Sequence, residues 1–597
     1  MRGFPLRLGA VAVGCALGLA AADATAAVRL SEAFNGNWFN PARPNSGVML
    51  DFIPQPNPET GRTGVLFIAT FSYDQEGRDR WLIVQTEVFG QEFAWQNVPV
   101  LAFSGGRFFG TQQPNRQEVG VADITVHSCD SIEINFRNMP AGFGNVATGR
   151  MVRVTGPVDP DVCPYKREFS AESCGNFPGQ VTADPVRRTC TVNAPPTNPL
   201  RGDILFRNEA TWVLTGLVAV GGDNTNTGTL RIEPGTVITG GGETSDYVYI
   251  RPGSRILAEG TRRHPIIMTS DKDGVRGQRP TPGDWGGLVI SGNAPANPCP
   301  TAPFNCTDEF GSLRYGGDRP NESSGVIRFV QIRYAGYQFA PNREVNSLTL
   351  QGVGKGTVIE YVQAYRGSDD AFEWFGGGAN ARYLVATEAE DDNIDTDFGT
   401  NPNIQFLIVR QGTLADHGIE ADNNPNNADA APRSRPTLAN ATFLGSTAGV
   451  DGARFRSGTG FRVYNSVFTG FSRSCLNIDG AATFAVAGNP APGQLTGNLI
   501  IEHSLVHCPT AARGNFSDDS GQPWAESAWF QAQPGNLSGD PRFASDRVTP
   551  RADSPLRGAG RNVGTIDPWF LPTDYIGAVR DENDTWWKGW TYFPVGN

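Results

Sequence analysis

Short apolar strands recur at a nearly fixed spacing along the middle of the chain. Ile359-Glu360-Tyr361-Val362, Ala381-Arg382-Tyr383-Leu384 and Ile404-Gln405-Phe406-Leu407 begin 22 and 23 residues apart, and weaker copies begin at Leu438 and Phe461. A repeat of this size means a solenoid, in which no single turn buries its own apolar side and stacking supplies the core. The pieces are strand-length, rich in Val, Ile and Phe, and lack a helical period, so the expected fold is all-β, a parallel β-helix. Leu230–Ile238 and Tyr249–Leu257 show the same unit earlier, as a strand, a Pro-Gly turn and a second strand. Insertions such as Asn423–Arg435 are expected to leave one edge as loops.

Composition agrees with a turn-rich β protein. Of 597 residues, 72 are Gly and 43 are Pro, while charged residues make up 18 %. That balance excludes a disordered polyelectrolyte and a coiled coil. The net charge is −12 and no basic run occurs, so nucleic acid is not an expected partner. Residues 28–157 read as a small antiparallel β module, with strands at Val65–Tyr73, Trp81–Thr86, 121–126 and 131–137, and a hairpin turn at Asp74–Gly77. Residues 158–197 are a Pro- and Cys-rich linker.

The first 26 residues read as an export signal. Arg2 and Arg7 precede an apolar run from Leu8 to Ala22, and Ala24-Thr25-Ala26 is a small-x-small cleavage site. No other stretch is long and apolar enough to span a bilayer. Cys15 leaves with the signal, so eight cysteines remain, an even number that reads as disulfides in an exported chain. Cys299 and Cys306 are placed to staple one loop, and Cys475 and Cys508 to join neighbouring turns. Cys129, Cys163, Cys174 and Cys190 supply two more bridges whose pairing stays open. The expected location is secreted, periplasmic or on the outer surface of a bacterial cell.

Two resemblances follow from particular residues. Gly36-Asn37-Trp38-Phe39, Ser46-Gly47, Tyr73-Asp74 with Gly77 and Trp81, and Gly106–Gly110 resemble an uncharacterised module at the front of exported bacterial proteins. Ile232–Thr236, Ala258–Thr261, Gly283–Gly287, Asp369–Gly377, Gly577-Ala578 and Lys588-Gly589-Trp590 resemble a family of exported bacterial right-handed β-helix proteins. That likeness covers about two thirds of the chain and implies the fold of pectate lyases, polygalacturonases and phage tailspikes. The expected plan is a signal over 1–26, the β module over 27–157, the linker over 158–197, a right-handed parallel β-helix over 198–545 and a Trp-rich cap over 546–597.

One acidic pentad recurs in three consecutive turns: Asp369-Asp370-Ala371-Phe372-Glu373, Asp391-Asp392-Asn393-Ile394-Asp395 and Asp416-His417-Gly418-Ile419-Glu420. If Phe372, Ile394 and Ile419 stack inward, alternation puts Asp369/Glu373, Asp391/Asp395 and Asp416/Glu420 on the opposite face, on rungs about 4.8 Å apart. Like charges at that spacing repel by roughly 3–4 kcal/mol per pair at an effective dielectric near 20. Such a patch binds a cation, keeps protons or splays into water, and hard oxygen ligands suit Ca²⁺. The expected metal ligands are Asp369, Asp391, Asp395, Asp416 and Glu420.

Continuing the register puts Phe455 and Ile478 inward, with Arg454 and Arg456, then Asn477 and Asp479, beside the acids. Asp370, Asp392, His417, Arg454 and Arg456 are the catalytic candidates. Glu373, Asp395, Glu420, Trp374 and Asp479 are the binding candidates. The leading expectation is a surface protein that binds polysaccharide or serves as structure. The alternative is a lyase, with a basic residue removing the proton next to a uronate carboxylate, or a hydrolase using paired acids. Polygalacturonases carry Asp-Asp and Gly-His-Gly signatures that Ser368-Asp369-Asp370 and Asp416-His417-Gly418 match only loosely, and their Arg-x-Lys is missing here. The same acids also suit Asx turns at solenoid corners, a purely structural role.

Overall fold

The structure, a computed structural model, describes residues 30–592 apart from 58–59, 74–78, 91, 105–114, 141–147, 155–162, 166, 243–244, 309–311, 341–342, 492–494 and 496. The export signal, the Asp74–Gly77 turn and the Gly106–Gly110 motif lie outside the described residues.

The front module forms a closed antiparallel barrel of eight strands: Gly36–Asn40, Arg43–Asn57, Arg62–Tyr73, Asp79–Phe89, Ala94–Ser104, Asn115–Ser128, Ser131–Arg137 and Gly149–Arg153. The first strand pairs with the last, Trp38 opposite Arg153, so no edge is left open. Trp38, Leu50, Leu66, Ile68, Leu82, Ile124 and Ile132 fill its interior. The Cys129–Cys163 disulfide ties the barrel to the linker. From the linker, the Tyr165 hydroxyl donates to Gly235 O in the solenoid (3.2 Å). Arg276 of the solenoid reaches back to Glu92 (3.0 Å).

The linker closes the first rung. Val181–Asp184 and Thr189–Val192 form a hairpin stapled by Cys174–Cys190, and Thr189–Val192 pairs in parallel with Thr211–Leu214. Beyond it the chain winds as a right-handed parallel β-helix. One wall is a nine-stranded parallel sheet: Leu217–Val220, Tyr247–Ile250, Gly287–Ser291, Leu348–Gln351, Phe372–Phe375, Ile394–Asp397, Ile419–Ala421, Asp451–Phe455 and Ser474–Ile478. The rest of the circumference is a long parallel sheet that includes Gly325–Arg333, Val358–Tyr365, Ala381–Thr387, Asn403–Arg410 and Thr437–Leu444.

Each of those five strands bends at one left-handed residue: Phe329, Tyr361, Tyr383, Phe406 and Asn440, with φ between 50° and 62°. A left-handed residue costs roughly 1–2 kcal/mol. Stacking repays part of that cost, because successive rings lie 4.4, 4.4 and 4.9 Å apart from Phe329 to Phe406. The bend turns one continuous strand into two faces, and the turn between them needs no extra residues.

The Trp-rich tail does not close the end of the solenoid, as the sequence reading has it. It runs along the outside of the bent strands. Trp590 packs edge-on against Phe329 and Tyr361 (5.9 Å each), and Trp586 lies 5.4 Å from Tyr383. Buried amides of the long sheet hold its backbone. Gln405 both donates to Leu571 O and accepts from Leu571 N–H (2.8 Å each). Asn465 does the same with Arg561 (2.8 and 2.9 Å). The last rung is covered instead by residues around two short helices, Ala481–Ala487 and Glu526–Ala532, through Phe484, Phe516, Trp529 and Phe530. Cys475–Cys508 pins this cover.

Glu526 fastens the cover to the sheet by accepting from Ile478 N–H (3.0 Å) and Ser517 N–H (3.3 Å). It is 1 % exposed. Burial outweighs those bonds and pushes its carboxyl up to about 8 from an ordinary 4.5. A raised carboxyl favours the protonated fold, so its contribution is full below pH 4.5 and is lost as pH rises through about 8. Thermal melts between these pH values should show falling stability in the wild type and a flatter profile in Glu526→Gln; equal slopes would exclude Glu526 as the source. Trp590→Ala should cost about 3–5 kcal/mol in denaturant unfolding, since a buried indole leaves a cavity over the ring stack; a loss under 1 kcal/mol would mean the tail is not structural.

Candidate functional site

The acidic pentads stack in register. Phe372 pairs with Ile394 and Ile394 with Ile419, all fully buried. Glu373, Asp395, Glu420, Arg454 and Asn477 therefore form one column on successive rungs. The reading differs at Phe455. Glu420 pairs with Arg454, so Ala421 lies opposite Phe455 and Ile419 falls level with Ala453. Phe455 still points into the core, but two residues further along the strand than the sequence reading places it.

A second column precedes the strands at the corner. Asn346 Oδ1 accepts from Asp370 N–H (3.2 Å), Asp370 Oδ1 from Asp392 N–H (2.9 Å), and Asp392 Oδ1 from His417 N–H (2.6 Å). Each side chain thus bonds the backbone of the next rung. Asp370, Asp392 and His417 are 6 %, 4 % and 2 % exposed. That ladder holds these three catalytic candidates beneath the surface. His417 Nδ1 sits 3.0 Å from Asp392 Oδ1 and 3.5 Å from Asp416 Oδ2, while Nε2 lies 3.8 Å from Asp451 Oδ2. Burial lowers the imidazole's proton affinity against the pull of Asp416, Glu420 and Asp451.

Repulsion is visible in the proton affinities. Burial, then the charges of Asp369, Asp395 and Asp392, hold the Asp370 carboxyl well above the ordinary carboxylate value. Burial, then Glu420 and Asp392, do the same for Asp395. Asp392 follows, raised by burial and then by Glu420 and Asp391. Oxygens of Asp370, Glu373 and Asp395 lie within 4.8 Å of one another, as do those of Asp369, Asp370 and Asp391. Asp392, Asp416 and His417 make a third such group. Asp395 Oδ1 is buried without a hydrogen-bond partner among the described residues.

The five expected metal ligands do not form one site. Asp369 and Asp391 belong to one group, Asp395 to another and Asp416 to a third. Glu420 is taken up by Arg454 (3.4 Å) and Arg456 (2.5 Å). Both arginines are doubly held. Arg454 also meets Asp479 (2.7 Å), and Arg456 meets Asp422 (2.7 Å). Burial opposes the charge on Arg456, yet Asp422 and Glu420 raise its proton affinity above that of an ordinary arginine. Neither guanidinium is therefore placed to act as a base, and Asp479 serves as a partner for Arg454.

Trp374 is also reassigned. Its side chain is 1 % exposed, lies in the core and donates from Nε1 to Ala379 O (3.1 Å), so it offers no surface to a ligand. The sequence reading missed Asn346, Asp397, Asp422 and Asp451. Asp397 and Asp422 stand two residues beyond Asp395 and Glu420 and continue the same alternation. Asp451 follows His417 after a longer insertion, which hides the period.

Residues 199–500 match the model of the pectate-lyase-like beta helix domain. The A-module of a mannuronan C-5 epimerase from Azotobacter vinelandii is similar at TM-score 0.31 and 11 % identity, over 62 % of this chain and 94 % of that one. No curated protein matches the chain. On the family match and the coiled sheets together, the chain belongs to the pectate-lyase-like β-helix family.

Proposed function

We propose that this is an exported protein that binds polysaccharide across the acidic wall of the nine-stranded sheet, with a cation held by the carboxyls there. The observation that carries the reading is the meeting of Asp370, Glu373 and Asp395 within 4.8 Å, one buried oxygen of Asp395 lacking a partner among the described residues. Three carboxyls packed this closely cannot all be charged without a counter-ion. Their donors are oxygen only, which suits Ca²⁺, whereas the His417 group suits a metal that accepts imidazole. Membership of a pectate-lyase-like family supports a polysaccharide-related role. Four disulfides support an oxidising location outside the cytoplasm. No helix among the described residues is long and apolar enough to cross a membrane.

Hydrolysis is the second reading. It is favoured by carboxyls of raised proton affinity, Asp370 and Asp395, beside Glu373, which offers an acid and a base at short range. A lyase with an arginine base is disfavoured, because Arg454 and Arg456 are each fixed between carboxylates.

Charge relief gives the first test. In cation-free buffer at neutral pH, Asp395→Asn should raise the melting temperature by roughly 2–4 °C, the shift about 1 kcal/mol produces in a domain of a few hundred residues. Added Ca²⁺ should stabilise the wild type and not the variant. An unchanged wild-type melt with Ca²⁺ would remove the cation. For the ligand, the protein should be retarded in gels containing a polysaccharide from a neutral and acidic panel, and Glu373→Gln with Asp395→Asn should abolish the retardation. Released reducing ends, lost in the same double variant, would establish hydrolysis instead. Neither retardation nor product across the panel would leave only a scaffold.

A further inference from the structure

We infer a second glycan-contact site, separate from the acidic wall, in a pocket at the first three rungs of the nine-stranded sheet. It occupies about 300 Å³, the lower end of the range for ligand cavities, beneath the loop stapled by Cys299–Cys306. The pocket lies where the first three strands of that sheet end, at Asp223, Pro252 and Asn293. Glu373 and Asp395 stand on the fifth and sixth strands of that sheet.

An amide relay lines it. Arg319 donates to Asn224 Oδ1 (3.1 Å), and Asn224 Nδ2 donates to Asn293 Oδ1 (2.8 Å). The relay ends on Asn293 Nδ2, which is buried and has no hydrogen-bond acceptor among the described residues. Asn293 as a whole is 6 % exposed. A buried donor left without an acceptor costs about 1–3 kcal/mol, so an incoming oxygen is rewarded there. On the far wall Arg314 donates to Asn305 Oδ1 (3.1 Å), and Phe304 lends a half-buried ring.

The chemistry of this lining selects a polyhydroxylated ligand. Two arginines, Arg314 and Arg319, and two carboxylates, Asp223 and Asp318, line it, and Asp223 is already paired with Arg251 (2.8 Å). Side-chain amides offer a donor and an acceptor together, the pairing that adjacent sugar hydroxyls need. The ring supplies an apolar face at the rim. A sugar unit fits these demands better than an apolar molecule, which would strand the amides. The disulfide fixes the loop before the ligand arrives, so little ordering has to accompany binding.

Saturation-transfer NMR of the disulfide-intact protein with glucose, galactose, mannose and glucuronate tests the site. At least one of these sugars should give a signal, and Asn224→Gly should weaken its binding by tenfold or more. Glycine suits that position because Asn224 has φ 56°, so the variant removes the amide and keeps the backbone. Asn293→Asp should have the same effect by replacing the unused donor with an acceptor. Asp395→Asn, at the acidic wall, should leave the signal intact. The inference is overturned if no sugar of the panel binds, if both amide variants bind as the wild type does while melting normally, or if Asp395→Asn removes the signal.

Discussion

Parallel turns stacked in register place each side chain directly over its counterpart one rung, about 4.8 Å, below. Everything distinctive in this protein follows from that constraint. Where the repeated residue is aromatic, the result is a continuous ring stack from Phe329 to Phe406. Where it is a carboxylate, the result is a column of like charges. One spacing is close to ideal for rings and hostile to anions, so the same architecture stabilises one side of the coil and strains another.

The strained side is relieved in three ways. At the corner, Asp370 and Asp392 turn an oxygen onto the backbone N–H of the next rung, which makes part of the acidity structural. At the far end, Arg454 and Arg456 end the column and bind Glu420 between them. Asp370 at the corner and Asp395 on its strand also hold protons more tightly than ordinary carboxyls do, and Asp395 keeps an oxygen without a partner among the described residues. The site proposed above is therefore centred on Asp370, Glu373 and Asp395 and not on the arginine pair.

The side of the coil needs covering as much as its ends. The long sheet presents buried Gln331, Gln363, Gln405, Asn440 and Asn465 outward, and the C-terminal segment bonds to them through its own main chain. Side-chain amides here do the work that a neighbouring strand does inside a sheet. A tail without regular secondary structure is thereby fixed, and its tryptophans seal the ring stack beneath.

The sequence by itself determined the coil, the antiparallel β module before it and the inward register of Phe372, Ile394 and Ile419, because a period near 22 residues and strict alternation are local properties of the chain. It also isolated the acidic pentads, since these recur within the same period. It could not determine which carboxyls face one another, which are spent on backbone bonds and which are neutralised. Those outcomes depend on partners such as Asn346, Asp451 and Arg456, brought in across insertions of unequal length. Trp374 and the Trp-rich tail show the same limit: an indole reads alike in a binding platform, an end cap or a core. Only packing against Ala379 and the bent strands decided between them, because burial belongs to the folded assembly and not to the residue.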